Sequence, residues 1–83
     1  MTLLYFAWVR QKVGVSEERI ELPAHVATVG DLVAYLHARG GGYADAFADP
    51  SRLRAAVDQE HVSFDAQLGD AREVAFFPPV TGG

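Results

Sequence analysis

The spacing of apolar and polar residues predicts strands at both ends of the chain. Every residue from Leu3 to Val9 is apolar, which is typical of a strand covered on both faces. After a polar turn, Glu18–Leu22 alternates and stops at Pro23, which predicts a half-exposed strand forming a hairpin with the first. Glu73–Phe77 predicts the last strand. Because the first and last strands are the most apolar, we expect them to be central and adjacent.

One amphipathic helix is predicted between these strands. Its apolar residues are spaced i, i+3, i+4 and i+7, so they share one face: Val29, Leu32, Val33 and Leu36. Thr28 is a good N-cap, and Asp31 three residues later resembles a shortened capping box. We expect Gly40 to end this helix, since glycine adopts the left-handed conformation that helix ends favour.

Shorter elements are predicted between the helix and the last strand. They are a loop at Gly40–Gly42, a helical turn at Tyr43–Phe47, a strand at Leu53–Val57 and an extended piece at Val62–Phe64. The order β-β-α-β-(β)-β predicts an α+β fold whose one main helix covers one face of a mixed sheet. This order describes a β-grasp (ubiquitin-like) roll over residues 1–77, followed by an extended, flexible Gly-Gly tail at 78–83.

Composition and charge narrow the possible partners. Hydrophobic residues make up 49% of the 83 residues, which is enough for one core, and cysteine is absent, which excludes disulfides. The net charge is −4 and the basic residues are scattered singly, unlike a nucleic-acid surface. No apolar run approaches the roughly 20 residues that span a bilayer. We therefore expect a soluble, cytoplasmic domain with neither nucleic acid nor membrane as its partner.

The usual catalytic and metal-binding patterns are missing from the sequence. His25, His37 and His61 lack metal-ligand spacing, so no metal site is predicted. The serines lack the context of a nucleophile elbow. The sequence therefore directs attention to the end of the chain.

The last strand runs straight into a stiff, narrow C-terminal segment. Pro78 and Pro79 favour an extended exit, and the segment that they begin can reach about 20 Å. Gly82 and Gly83 carry no side chain, so a terminal carboxylate could enter a narrow channel. This pattern favours a carrier whose own carboxylate is activated as an acyl-adenylate. The alternative is an unused, frayed chain end.

Phe77 is the candidate partner contact beside this exit. It shares a strand face with Glu73 and Ala75, whereas Val74 and Phe76 share the other. We expect the face that carries Glu73 to be solvated, which would leave Phe77 exposed as an interface anchor. In the alternative, Phe77 packs under a neighbouring loop.

Three stretches resemble one known family along the whole chain. Phe6–Arg10 resembles its Phe-Ala-x-x-Arg signature, and Thr28–Leu32 resembles its Thr-Val-x-x-Leu helix start. The segment Val57–Gly83 is similar to its C-terminal block almost throughout. The family is the small subunit of molybdopterin synthase, a MoaD-type sulfur carrier.

The resemblance implies a mechanism for the terminal glycine. An E1-like adenylyltransferase would adenylate the Gly83 carboxylate with ATP and Mg²⁺, and sulfur transfer would then give a thiocarboxylate. The tail would deliver sulfur to a cyclic pterin (precursor Z, cyclic pyranopterin monophosphate) inside the large synthase subunit. The family also implies a heterotetramer, a carrier that binds no permanent cofactor, and catalytic residues on the large subunit. This chain would be a sulfur donor rather than the catalyst.

The same resemblance suggests the partner contacts. The C-terminal block supplies Phe77, Pro78, Pro79, Val80 and Thr81. Arg10 matches the family arginine, and His61 lies where relatives often place an apolar contact residue.

The sequence departs from the family at a few positions, and other functions stay open. Asp58 replaces a usual Asn, and Ala71-Arg72 replaces Gly-Asp, so the turn before the last strand could differ. The alternatives are a sulfur carrier for thiamine or tRNA thiolation, a ubiquitin-like protein modifier, and a passive β-grasp interaction module.

Overall fold

The computed structural model describes residues 1–79, which form one sheet with helices on one side. The elements in chain order are β1 (Thr2–Tyr5), α1 (Ala7–Val13), β2 (Glu17–Arg19), α2 (Val29–His37), α3 (Gly41–Ala46), a 3₁₀ helix (Pro50–Arg52), β3 (Arg54–Val57), β4 (Glu60–Val62) and β5 (Glu73–Phe77). The predictions made for Val80, Thr81, Gly82 and Gly83, including a flexible tail, lie outside the described residues.

The five strands form one mixed sheet in the order β2-β1-β5-β3-β4. The central pair β1 and β5 is parallel, with Leu3 opposite Val74 and Tyr5 opposite Phe76, and the other pairs are antiparallel. This arrangement confirms that the first and last strands are central and adjacent. It also confirms the mixed sheet of a β-grasp, ubiquitin-like fold.

The core lies between the sheet and α2. Leu3, Tyr5, Val74 and Phe76 point from the central strands into the same apolar cluster as the buried face of α2. The Phe76 ring lies 5.0 Å from that of Phe47 and 6.5 Å from that of Tyr5, measured between ring centres. Because these aromatic side chains bury large areas, they fix β5 against the helical layer.

Helices long and apolar enough to cross a membrane are absent from residues 1–79.

The start of α2 follows the sequence prediction, whereas its end does not. The Thr28 hydroxyl accepts a hydrogen bond from the Asp31 amide at 3.0 Å, and the Asp31 carboxylate accepts one from the Thr28 amide at 3.2 Å. This reciprocal pair is a capping box. The helix ends at His37 with Ala38 as its C-cap, and Gly40, at φ 79°, instead precedes α3. The predicted loop at Gly40–Gly42 is therefore wrong beyond Gly40.

The first predicted strand is too long, and the helix that follows it was not predicted. β1 ends at Tyr5, and α1 begins at Ala7, whose φ of 53° turns the backbone sharply. Val9 is fully buried, and Val13, four residues later, packs against the same core. That spacing fits a helix, but the unbroken apolar run up to Val9 hides it.

The prediction that a short turn joins the first two strands is therefore wrong. β1 and β2 are antiparallel neighbours, as a hairpin would make them, but α1 joins them instead of a short turn. Gly14, at φ 97°, ends α1 in the left-handed conformation. β2 covers only Glu17–Arg19, so the predicted strand to Leu22 is too long.

Asp58 takes part in two of the turns that precede β5. Asp58 and Gln59 both have positive φ, 48° and 71°, and connect β3 to β4. β4 therefore starts at Glu60, earlier than the extended piece predicted at Val62–Phe64. The Asp58 carboxylate also accepts hydrogen bonds from the amides of Arg72 and Glu73 at 2.9 and 3.0 Å.

Gly69, at φ 50°, supplies the positive φ in the turn that precedes β5. Ala71 and Arg72 are not among the residues with positive φ, so their substitution is compatible with the turn.

Candidate functional site at the end of the central strand

The chain leaves the sheet from its centre, at the end of β5. β5 lies between β1 and β3, and Phe77 is its last residue, opposite Arg54. The Phe6 amide donates a hydrogen bond to the Phe76 carbonyl at 3.1 Å, which extends the ladder between β1 and β5 to this point. Neighbouring strands therefore hold β5 on both sides up to the exit, so Pro78 starts from a fixed position.

Phe77 lies on the sheet face opposite the helices, as its alternation with Phe76 predicts. It is half-buried, so the expectation of an exposed ring is only partly met. Its ring centre lies 5.1 Å from that of His61. The two rings belong to strands on either side of β3, where His61 faces the small side chain of Ala56. Phe77 is therefore covered in part by a side chain on another strand, not by the loop of the alternative prediction.

The same open face continues as an apolar strip of small side chains. The register aligns Leu4 with Ala75 and Ala75 with Ala56 across the three central strands. Ala75 and Ala56 are 8% and 6% exposed, and Leu4 is half-buried. The strip has Phe77 and His61 at the end from which the chain leaves. This places an apolar strip, whose two alanines are nearly buried, next to the exit; the role predicted for the site residues stays a prediction.

The other predicted site residues divide between the exit and α1. Pro78 and Pro79 are half-buried and line a surface cleft together with Trp8, Ser51 and Arg52. Arg10 is exposed on α1, two residues after Trp8 and so roughly 200° around the helix axis from it. The structure therefore separates Arg10 from the cleft, while Phe77 and His61 lie in contact.

Sequence reasoning missed three residues at the exit. Phe6 is 49% exposed and bonds through its amide to β5, and Trp8 and Arg52 line the cleft. The predicted strand over Leu3–Val9 contains both Phe6 and Trp8, so it gives no indication of their positions at the exit. No sequence pattern marks these residues, because the apolar run from Leu3 to Val9 is unbroken.

The site offers no evident chemistry of its own in the described part of the chain. Among residues 1–79, no three histidine, aspartate or glutamate side chains are grouped to hold a metal ion. The arrangement fixes Pro78 at the end of the central strand, next to the sheet face that carries Phe77.

A mixed five-stranded sheet with a parallel central pair and a helix packed on one face defines a ubiquitin-like β-grasp protein. The sequence model of the ThiS family matches residues 3–83. The chain belongs to the ThiS family.

Relatives with known names cover nearly the whole chain. It is 47% identical over 81 residues to the molybdopterin synthase sulfur carrier subunit of Escherichia coli (strain K12), covering 98% of this chain and 96% of that protein. The subunit of the same name from Haemophilus influenzae is 32% identical over 83 residues, covering 100% and 99%. A solved structure from Pyrococcus furiosus, described as molybdopterin converting factor subunit 1, superposes with a TM-score of 0.73 at 36% identity, covering 95% of each chain. The predicted resemblance is therefore confirmed.

Proposed function

We propose that this chain is the sulfur carrier subunit of a molybdopterin synthase and acts in the synthesis of the molybdenum cofactor. The observation that carries the proposal is its 47% identity, over 98% of its length, to the Escherichia coli protein of that name. The geometry supports it, because β5 is held on both sides and leads directly into Pro78 and Pro79. A carrier needs such a fixed base for a chain end that must reach into another protein.

The proposed chemistry takes place at the Gly83 carboxylate. An E1-like adenylyltransferase, using ATP and Mg²⁺, converts it to an acyl-adenylate and releases pyrophosphate. A sulfide equivalent (HS⁻) from a sulfur donor then attacks the acyl carbon, the bond to AMP breaks, and a thiocarboxylate remains. The charged tail delivers this sulfur to a cyclic pterin, precursor Z, in the large synthase subunit, and two deliveries complete the dithiolene. Catalytic side chains belong to the large subunit, and this chain binds no permanent cofactor.

Each part of the chain has a physical task in this proposal. Gly82 and Gly83 keep the tip thin enough for a narrow channel. Pro78 and Pro79 stiffen the exit, since each fixes its own φ. The remaining predicted contacts with the large subunit, in a heterotetramer with a carrier at each end, are Phe77, Val80, Thr81, Arg10 and His61.

Deletion of Gly83 tests the proposal directly. We expect the native chain, incubated with an E1-like adenylyltransferase, ATP, Mg²⁺ and a sulfur donor, to gain the mass of one sulfur in place of one oxygen. The deletion variant should gain none, because its carboxylate lies one residue short of the reacting position. Intact-mass spectrometry measures both, and an unchanged melting temperature shows that the fold is retained.

A matched variant with one alanine added after Gly83 keeps every native residue but moves the carboxylate. It should also stay uncharged. Charging of either variant would contradict the assignment to Gly83, and so would a mature native protein that extends past Gly83. A native chain recovered in amide linkage to lysines of other proteins would instead favour a ubiquitin-like modifier.

A further inference from the structure

Arg54 is a cation on the exit side of β3 that the mechanism does not use. It is exposed, and it lies directly opposite Phe77 in the register of β3 and β5. Its Nη1 donates hydrogen bonds to the Leu53 carbonyl at 2.8 Å and to the Ser51 carbonyl at 3.4 Å. These bonds tie the guanidinium to the end of the 3₁₀ helix, so the charge has a defined position beside the last residue of β5.

The charge of Arg54 is not matched by an acid in the described part of the domain. Within residues 1–79 the one ion pair joins Arg39 to Glu18. The other two nitrogens of Arg54, Nε and Nη2, donate to no group in the same part of the chain. A guanidinium carries five N–H donors in a planar fork that fits a carboxylate. Arg54 therefore retains the donors with which it can bind an acidic side chain of another molecule.

An apolar recess lies next to Arg54. It measures about 310 Å³ and is lined by Pro50, Leu53, Arg54, Val62, Ser63 and Phe64. Leu53 is 1% exposed, and Val62 and Phe64 pack against the core, so the apolar walls are held in place. The one hydroxyl of the lining, that of Ser63, donates to the Asp65 carboxylate. The recess therefore fits an apolar side chain better than a polar ligand.

The features at this edge of the exit are typical of a contact with protein. Arginine and aromatic side chains are enriched at the centres of protein interfaces, and here Arg54 faces Phe77 and borders the recess. A nucleic-acid backbone is bound by several cations together. The nearest arginine in sequence, Arg52, has its guanidinium carbon 5.3 Å from the centre of the Trp8 ring. A single short protein segment with one acid and one apolar side chain would satisfy Arg54 and the recess together.

We propose that Arg54 and the recess beside it are a docking site for the large synthase subunit, which places an aspartate or glutamate carboxylate on the guanidinium and a neighbouring apolar side chain in the recess. This inference rests on the proposed function, in which the large subunit covers Phe77. Because Arg54 lies opposite Phe77, the same partner surface meets both residues. A charge pair across an interface selects the partner that carries the matching acid, so Arg54 contributes to specificity.

Titration of the large synthase subunit at two salt concentrations tests the charge pair. At about 0.1 M salt, Arg54→Gln should weaken binding by about three- to tenfold, the effect of losing one interfacial ion pair. At about 1 M salt, where charges are screened beyond about 3 Å, the difference from the native chain should fall below about twofold. Arg54→Lys keeps the charge but not the planar fork, so its loss should be smaller than that of Arg54→Gln. Calorimetry measures the affinities, and thermal unfolding shows that each variant is folded.

Arg72→Gln is the matched control, since it removes the same charge from an exposed arginine at the opposite end of β5. It should bind as the native chain does. Native affinity in Arg54→Gln would overturn the proposal, and so would an equal loss in Arg72→Gln, which would reflect net charge alone. A loss in Arg54→Gln that is the same at both salt concentrations would contradict pairing with a carboxylate.

Cross-saturation in the complex tests the recess. The chain is deuterated except for its valine and leucine methyl groups, and the protons of the large synthase subunit are irradiated. The Val62 methyl signals should lose intensity, whereas those of Val15, which is exposed between α1 and β2, should not. A complex that forms without transfer to Val62 would overturn the docking of a side chain in the recess. If the native chain does not bind the large subunit at all, the proposed function itself is refuted; if the complex forms but Arg54→Gln binds normally, only this inference fails.

Discussion

Glu18 joins three elements of the fold through one carboxylate oxygen. Its Oε1 accepts hydrogen bonds from the Tyr5 hydroxyl at 2.6 Å, the Tyr43 hydroxyl at 2.8 Å and the Arg39 guanidinium at 2.9 Å. Burial alone would raise the pKa of the Glu18 carboxyl, but these three donors together lower it below its ordinary value of 4.5. Burial, and then the bond to Glu18, raises the pKa of the Tyr5 hydroxyl, so Tyr5 stays a donor.

The lowered pKa of Glu18 predicts a loss of stability in acid. A depressed pKa means that the unfolded chain binds the proton more readily, so this contribution is present above about pH 4.5 and disappears as the pH falls through the lower folded value. Glu18→Gln should lower the free energy of unfolding at pH 7 by about 1–2 kcal/mol, the cost of weakening hydrogen bonds to a charged group. Urea unfolding at several pH values measures it, and the difference from the native chain should shrink in acid.

Glu17→Gln is the control for that measurement. Glu17 is the exposed neighbour on the same strand, and its substitution should change the free energy of unfolding by less than about 0.5 kcal/mol. A difference between Glu18→Gln and the native chain that is the same at every pH would contradict the assigned titration. No sequence pattern shows that Glu18 would meet Tyr43, because the two residues lie 25 positions apart.

The packing of α1 on α3 depends on one glycine. A side-chain carbon added at Gly42 would lie 1.8 Å from the Lys12 carbonyl oxygen, which belongs to the backbone of α1. The two helices would have to move apart, because a backbone oxygen cannot rotate away. We expect Gly42→Ala to cost about 2–3 kcal/mol of stability, measured by chemical denaturation.

Gly30→Ala is a matched glycine substitution in the first turn of α2. Its added carbon would lie 3.3 Å from the Phe64 carbonyl oxygen, a contact that a shift of a few tenths of an ångström relieves. Alanine also favours a helix by about 1 kcal/mol over glycine, so the net change should stay within about 1 kcal/mol. Equal losses for the two variants would show that α1 and α3 do not meet as closely as described.

The elements differ in how far local sequence determines them. α2 could be predicted because its cap and its apolar spacing agree, and β5 was predicted with its observed bounds. α1 could not, because Leu3 to Val9 reads equally well as a buried strand and the change of direction occurs at Ala7 without a glycine or proline. The role of Gly42 depends on α1, so it was hidden as well. The exit cleft was missed for the same reason, since Trp8 belongs to α1.

At the scale of the whole molecule, the apolar strip on the sheet lies next to the point where the chain leaves β5. A net charge of −4 is spread over the chain, whereas the strip through Leu4, Ala75 and Ala56 carries no charge. Phe77 lies where the strip meets the exit, and its ring contacts His61. A partner that covers this face of the sheet would contact both the domain and Pro78, the residue at which the chain leaves β5.

Phe77→Asp separates this interface from the fold. Because Phe77 is half-buried, the substitution should cost only about 1 kcal/mol of stability. A buried aromatic anchor at an interface contributes more than about 2 kcal/mol, so affinity for the large synthase subunit should fall at least about 30-fold. Calorimetric titration and thermal unfolding measure the two effects on the same protein. Val15→Asp, which changes an exposed apolar residue in the connection from α1 to β2, should leave affinity unchanged. Loss of stability in Phe77→Asp with native affinity would place Phe77 in the core and move the docking surface elsewhere.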